Sequence, residues 1–218
     1  MDPVGLIQGQ MAPLPRANVD TDQIIPKQFL KRVERTGFGP YLFYDWAIDT
    51  EGEVIADFVT NRTEYGNAKV LVTGPNFGSG SSREHAPWAI EDWGFEAIIA
   101  PSFADIFLNN CHKVGLLPVV LTDDEVAQLS AMAENPDNEV AIDLETQTVA
   151  AGDFKASFEI DEFAKHCLLN GLDHIALTLQ HAADIDAYET SRAAFKPSLA
   201  TSDLRPQTSD AHRCRSDF

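Results

Sequence analysis

Three short apolar runs, AKVLVTG at 68–74, AIIAPS at 97–102 and GLLPVVL at 115–121, constrain this chain more than any other feature. Each is a brief aliphatic stretch bounded by glycine, proline or polar residues, the pattern of a buried strand. Helical patterns lie between them, from about Glu84 to Trp93 and from Ala104 to Lys113. Strand, turn, helix, strand, helix, strand is the order of an α/β layer with parallel pairing. The sequence therefore places the core of the fold at about 68–121.

The flanks read more simply. DDEVAQLSAMAE at 123–134 opens with acids and spaces its apolar residues as an amphipathic helix does. EVAIDLETQTVAAGDFKASFEID at 139–161 alternates around turn residues, which predicts a hairpin or meander. From Asp161 to Tyr188 helix dominates, broken near Gly171, Leu172 and Asp173. Upstream, NVDTDQIIP at 18–26 reads as an Asx-type turn into a short strand or helix start. From Lys27 to Trp46 we expect a helical turn and then a functional or mobile loop rich in aromatics. After Arg192 the apolar periodicity stops, dividing the chain into a domain at 1–191 and an expected mobile tail at 192–218.

Charge and cysteine usage exclude several classes of function. Lys and Arg total 16 against 34 Asp and Glu, a net charge of −18, so nucleic acid is not an expected partner. A small anionic substrate would need a local positive pocket, and Arg83 is one residue able to supply it. Cys111, Cys167 and Cys214 are odd in number and widely spaced, which spells out neither a disulfide framework nor a four-ligand metal site. That usage suits a reducing cytoplasm. No run approaches about 18 apolar residues and Met1–Gly5 carries no basic leader, so neither a membrane nor export is expected.

The stretch GPNFGSGSSREHAPWAI at 74–90 holds the chemistry. It lacks the lysine of a Walker loop, has Arg83 where a dinucleotide fingerprint needs glycine, and fails the nucleophile-elbow spacing at each serine. Gly78 and Gly80 permit positive φ, so successive amides can converge on an anion as a nest, next to the positive end of a helix. Ser81 and Glu84 match a capping box, whereas Pro87 argues that the regular helix starts nearer Glu84. That start leaves Ser81, Ser82 and Arg83 on the preceding turn. Arg83 has the planar fork for bidentate carboxylate binding. The purely architectural alternative is a serine-capped connection with Arg83 paired to Asp92 or Glu91.

NVDTDQIIP, GPNFGSGSSREHAPWAI and SFADIFLNNCHKVGLLP occur in the order and approximate spacing of the aconitase swivelling-domain family, which the chain resembles from about 5 to 195. The resemblance implies a three-layer β/β/α swivelling domain. It implies that Ser81 takes a C–H proton from the substrate and that Ser82 and Arg83 bind its carboxylate. Asp22 matches the active-site Asp of the family's TD pair, placed to orient Arg83 or a substrate hydroxyl, and the loop Lys27–Arg32 sets specificity. There Phe29 and Leu30 suit an isopropyl group, while Lys31 or Arg32 suits an added carboxylate. Members depend on a four-iron, four-sulfur cluster with one open site; three scattered cysteines cannot ligate it, so this chain is expected to bind no metal and to need a cluster-bearing large subunit.

The reaction implied is dehydration of 2-isopropylmalate to an alkene and rehydration to 3-isopropylmalate, a step of leucine synthesis. The stretch RTGFGPYLFYDW resembles the bacterial leucine-pathway version. Alternatives are a homoaconitase-like or methylmalate/citraconate-type small subunit, or a non-catalytic anion-binding domain. Tricarboxylate aconitases carry DHIS where this chain has Asp22–Ile25, which argues against plain aconitase. His85 is near the serines but one helical turn away. Asn109, Asn110 and Lys113 read as capping and packing residues, and Cys111 beside His112 is poor geometry for a shared metal. Tyr41, Phe43, Tyr44 and Trp46 either line a partner interface or close over substrate.

Overall fold

Strand β1 (Leu6–Leu14) belongs to two kinds of sheet at once: Met11–Leu14 pairs parallel with β2 (Val70–Thr73), while Leu6–Gln10 pairs antiparallel with β5 (Glu139–Asp143). In this computed structural model, which describes residues 1–31, 36–193 and 195–196, β3 (Ala97–Ala100) and β4 (Leu117–Val120) extend the parallel side. β6 (Thr148–Ala151) and β7 (Phe154–Ser157) extend the antiparallel side, giving the order β4-β3-β2-β1-β5-β6-β7. The three apolar runs are thus the three parallel strands beyond β1, and the predicted meander is β5–β7. β1 itself was not expected, because Gly9 and Pro13 interrupt its pattern. Gly9 fits a close approach: a Cβ there would lie 2.6 Å from Cγ of Lys69.

β2 and β3 are buried at every position, as parallel strands covered on both faces must be. Their alternation separates two hydrophobic clusters. Leu71, Ile98 and Ala100 face α3 (His85–Trp93) and α4 (Asp105–Val114), whereas Val70, Val72, Ala97 and Ile99 join the cluster of α5 (Asp123–Ala133). Each fully buried Ile, Leu or Val contributes about 1.5–3 kcal/mol. The second cluster also takes Val140, Ile142 and Val149 from the antiparallel side, so it ties the two halves of the sheet together.

Local signals set the helix ends. Thr122 and Glu125 form a capping box at α5, and Asp161 caps α6 (Glu162–Asn170), which ends in left-handed Gly171. That cap is the predicted break before α7 (His174–Leu179). A second interruption, before α8 (Ala182–Thr190), was not foreseen. The chain divides into two compact units, Met1–Leu177 and Thr178 onward. Most of the expected tail, residue 194 and residues 197–218, lies outside the described residues. No helix among the described residues is long and apolar enough to cross a membrane.

The loop after Lys27 corrects an expectation. Its aromatics are in part core and not an exposed surface loop: Phe38, Leu42 and Phe43 are all buried. It contains α2 (Tyr44–Ala47), and it follows α1 (Thr21–Ile24), whose Ile24 carbonyl accepts from the Phe43 amide at 2.8 Å. Buried Phe43 lines neither a partner interface nor a substrate cover; Trp46 stacks on it, with Arg16 over the indole at 4.2 Å. Arg32 lies outside the described residues.

Candidate active site

The loops that leave β1, β2 and β3 meet beyond the carboxyl ends of the parallel strands, where α/β sheets bind ligands. Bridges join Asp20 to Ser79 and Phe77 to Phe103. The two motifs at 18–26 and 74–84 are fastened along their length. Asn18 N donates to the Pro75 carbonyl at 2.8 Å, and Thr21 N to the Ser79 carbonyl at 2.8 Å. The Thr21 hydroxyl donates to the Ser81 carbonyl at 3.1 Å. Asp20 begins α1 with a capping box to Gln23, which aims the next residues at the glycine turn.

At the end of this seam Arg83 meets Asp22. Nη1 bonds Oδ1, and Nη2 donates to Oδ2 at 3.1 Å, a bidentate pair between residues 61 apart. Lys27 Nζ stands 3.6 Å from the same Oδ2. The Arg83 bonds, reinforced by both positive charges, hold the Asp22 carboxyl below the usual carboxylate range despite some burial. Arg83 does not pair with Asp92, because the Asp92 carboxylate already accepts from the amides of Gly37 at 3.0 Å and Gly39 at 2.7 Å. Arg83 is thus paired with Asp22, and among the described residues it forms no ion pair with Asp92 or Glu91.

The turn itself differs from expectation at Gly78 and follows the reading from Pro87 at the start of α3. Gly78 and Gly80 have φ of 76° and 94°, in the left-handed region that glycine alone enters cheaply. Yet the amides of Gly78 and Ser79 both donate to the Val19 carbonyl, so Gly78 supplies the bend and not a donor. The amides of Gly80, Ser81, Ser82 and Arg83 have no hydrogen-bond partner among the described residues. The Ser81–Glu84 capping box is also absent: α3 begins at His85 with Glu84 as N-cap, and no side chain caps it. Pro87 in the first turn explains the late start. Ser81 and Ser82 consequently remain exposed on the connecting turn.

Other candidates fall elsewhere. The His85 ring packs edge-on to Phe38 and against Trp88, and burial pushes its pKa below the ordinary imidazole value. It is an apolar neighbour of the turn. Phe29 stacks on Tyr41 at 4.1 Å and meets Tyr44 at 4.9 Å, and Leu30 packs on the same hydrophobic cluster. Asn110 is buried, with Oδ1 accepting from Lys113 Nζ at 3.2 Å. Burial pushes the thiols of Cys111 and Cys167 up, well up for Cys111, so neither is a ready metal ligand. Among the described residues no group of three or more His, Cys, Asp or Glu could hold a metal ion. Sequence reasoning missed Thr21; its position between Asp20 and Asp22, one in a cap and one in an ion pair, was the available signal.

Comparison with known proteins identifies the family. A family model described as the aconitase C-terminal domain matches residues 1–124, and one described as LeuD_N matches 127–162. A third, described as the C-terminal domain of the 3-isopropylmalate dehydratase small subunit, matches 175–202. The chain is 56% identical to the 3-isopropylmalate dehydratase small subunit of Koribacter versatilis, over 85% of this chain and 96% of that one. It is 53% identical to the small subunit of Halalkalibacterium halodurans, over 88% and 100%. The crystal structure of 3-isopropylmalate dehydratase (leuD) from Methanocaldococcus jannaschii superposes with a TM-score of 0.63 at 26% identity, covering 84% of this chain and 98% of that one. By its sheet, its paired loops and its relatives, the chain belongs to the family of 3-isopropylmalate dehydratase small subunits.

Proposed function

We propose that this chain supplies the proton-transfer and carboxylate-binding half of a 3-isopropylmalate dehydratase, isomerising 2-isopropylmalate to 3-isopropylmalate in leucine biosynthesis. Its relatives carry that name over nearly their whole length. The other half is a large subunit in the same cytoplasmic enzyme. The iron–sulfur cluster belongs there, where it provides a Lewis acid for the leaving hydroxide; the buried thiols of Cys111 and Cys167 do not suit it.

In this reading Ser81 Oγ takes the C–H proton while hydroxide departs from the neighbouring carbon, and the alkene is then rehydrated with opposite regiochemistry. A serine is a feeble base in water, so its oxyanion needs fixed donors already in place. The unpartnered amides at 80–83 offer such donors. Ser82 and Arg83 hold a substrate carboxylate, and Asp22 orients the guanidinium until substrate arrives. Phe29 and Leu30 face the substrate's alkyl group once the partner is docked.

The single observation that carries the proposal is the seam from Thr21 to Arg83, which leaves Ser81 exposed beside a cation fixed in direction. The test is reconstitution. The chain alone is expected to be inactive, and addition of the large subunit to restore isomerisation. Ser81→Ala should bind the partner normally and lose about 10²–10⁴ in kcat, the range of a positioned acid or base. Near-normal turnover in that variant would remove Ser81 from the chemistry.

A further inference from the structure

We infer that Lys27 is a positioning residue that takes over the Asp22 carboxylate when a substrate carboxylate claims Arg83. The inference rests on the reading of Arg83 as the substrate's carboxylate partner.

Asp22 occupies both terminal nitrogens of the Arg83 guanidinium. A substrate carboxylate cannot use that end of the fork while Asp22 stays in place. The Arg83 side chain is only 13% exposed, so the guanidinium is the fixed member of the pair; Asp22, 42% exposed on a helix of four residues, is the one able to yield. A displaced Asp22 with no new partner would repel the incoming anion at close range. Lys27 removes that obstacle. Its ammonium stands 3.6 Å from Oδ2, outside hydrogen-bond distance yet within reach of the oxygen that Arg83 Nη2 now holds.

Fold and charge both suit the exchange. Lys27 opens the 3-10 turn that follows Pro26, on the same segment as Asp22, and its side chain is 73% exposed and able to follow the carboxylate. Among the described residues, Arg83 and Lys27 are the cations in ion-pair range of Asp22. The trio of Asp22, Arg83 and Lys27 carries a net charge of +1 at rest, and one substrate carboxylate brings it to zero. Without Lys27 the occupied site would carry an uncompensated negative charge, in a chain already at −18.

The experiment uses the assembled two-subunit enzyme with wild-type chain, Lys27→Met, Lys27→Arg, Asp22→Asn and the double variant Asp22→Asn/Lys27→Met. Initial rates with 2-isopropylmalate give KM and kcat, and calorimetric titration with 3-isopropylmalate gives Kd for each. Lys27→Met should raise KM and Kd about fivefold, the scale of one exposed ion pair, with the loss falling on KM more than on kcat. Lys27→Arg should recover most of it. With Asp22→Asn present, Lys27→Met should add nothing further, because there is no carboxylate left to receive. The inference is overturned if Lys27→Met leaves KM and Kd unchanged, if Arg does not rescue, or if the penalty persists beside Asp22→Asn, which would mean that Lys27 touches the substrate itself. Wild-type enzyme that binds the dicarboxylate with this pattern but does not isomerise it would refute the proposed reaction and leave the exchange standing. Absence of binding by the wild type would refute both.

Discussion

The hydroxyl of Thr21 donates to the carbonyl of Ser81 at 3.1 Å, across 60 residues of sequence. Thr21 is 2% exposed, so the bond is sheltered from exchange with water, while the Ser81 side chain it supports stays in solvent. The backbone of the proposed base is thereby fixed from behind. Thr21→Val keeps the shape and deletes the donor. We expect a loss of about 1–2 kcal/mol in unfolding free energy and about tenfold or more in kcat, with Thr21→Ser restoring most of both. Thermal unfolding and steady-state rates check it, and a valine variant of wild-type kcat would show that Ser81 needs no such support.

The two turn glycines should respond differently to alanine. At Gly78 a Cβ would fall 2.1 Å from Cγ of Phe107, and Phe107 is itself buried between Phe77 and Phe103. At Gly80 the nearest atoms are 3.4 Å away, so only the left-handed φ of 94° resists substitution. Gly80→Ala should destabilise by about 1–2 kcal/mol, and Gly78→Ala by about 3 kcal/mol or more, since overpacking adds to the backbone strain. Denaturant unfolding of the two variants measures the gap. Equal losses would mean that Phe107 can move aside.

How much of this was legible in the sequence depended on the range of the cause. Short-range causes read well: β2, β3, β4 and the intervening helices follow from runs of apolar residues with turn formers at their ends, and Gly171 ended α6 as expected. β1 did not read, because its place is set by two partners, Val70–Thr73 and Glu139–Asp143, far away in the chain, and its own Gly9 and Pro13 point away from strand. At the site, residue types were legible, but the choice among possible pairings was not. Arg83 had three acidic candidates, and only the fold shows that Asp92 is engaged by Gly37 and Gly39 while Asp22 is within reach. The capping box at Ser81 matched one local rule and Pro87 argued against it from the same motif; the helix start at His85 follows Pro87.

Acid should reveal the Asp22–Arg83 pair. The folded carboxyl is held below its ordinary value, so on acidification the unfolded chain takes up this proton first. The stability that the pair contributes is whole above the unfolded carboxyl pKa of about 3.9 and is lost as pH falls through the lower folded value. The difference in stability between wild type and Asp22→Asn should therefore be flat from about pH 5 to 8 and shrink below about pH 4. Asp22 is 42% exposed, so salt should reduce the difference throughout. A difference that widens on acidification contradicts the pairing.

Asp92 links the segment at Gly37–Gly39, beyond the proposed specificity loop, to the helix that follows the proposed catalytic turn. Its Oδ2 accepts from Gly37 and Gly39, which flank Phe38, and the Phe38 ring is buried edge-on to His85 at the start of α3. One carboxylate at the end of α3 thus holds the loop whose aromatic ring packs at the beginning of the same helix, directly after Arg83. Bonds to a charged acceptor contribute about 1.5–3 kcal/mol each, so Asp92→Ala should cost about 2–4 kcal/mol, and Asp92→Asn, which keeps an acceptor oxygen, about half as much. The consequence for function separates two roles. If Asp92 only maintains the fold, unfolding midpoints fall and the kinetics of the folded fraction stay unchanged. If it also sets the path of the loop carrying Phe29 and Leu30, KM should rise severalfold in Asp92→Ala, with partial recovery in Asp92→Asn. We expect the second outcome, because Gly39 is seated tightly on α3, with a Cβ there only 2.8 Å from the Asp92 carbonyl.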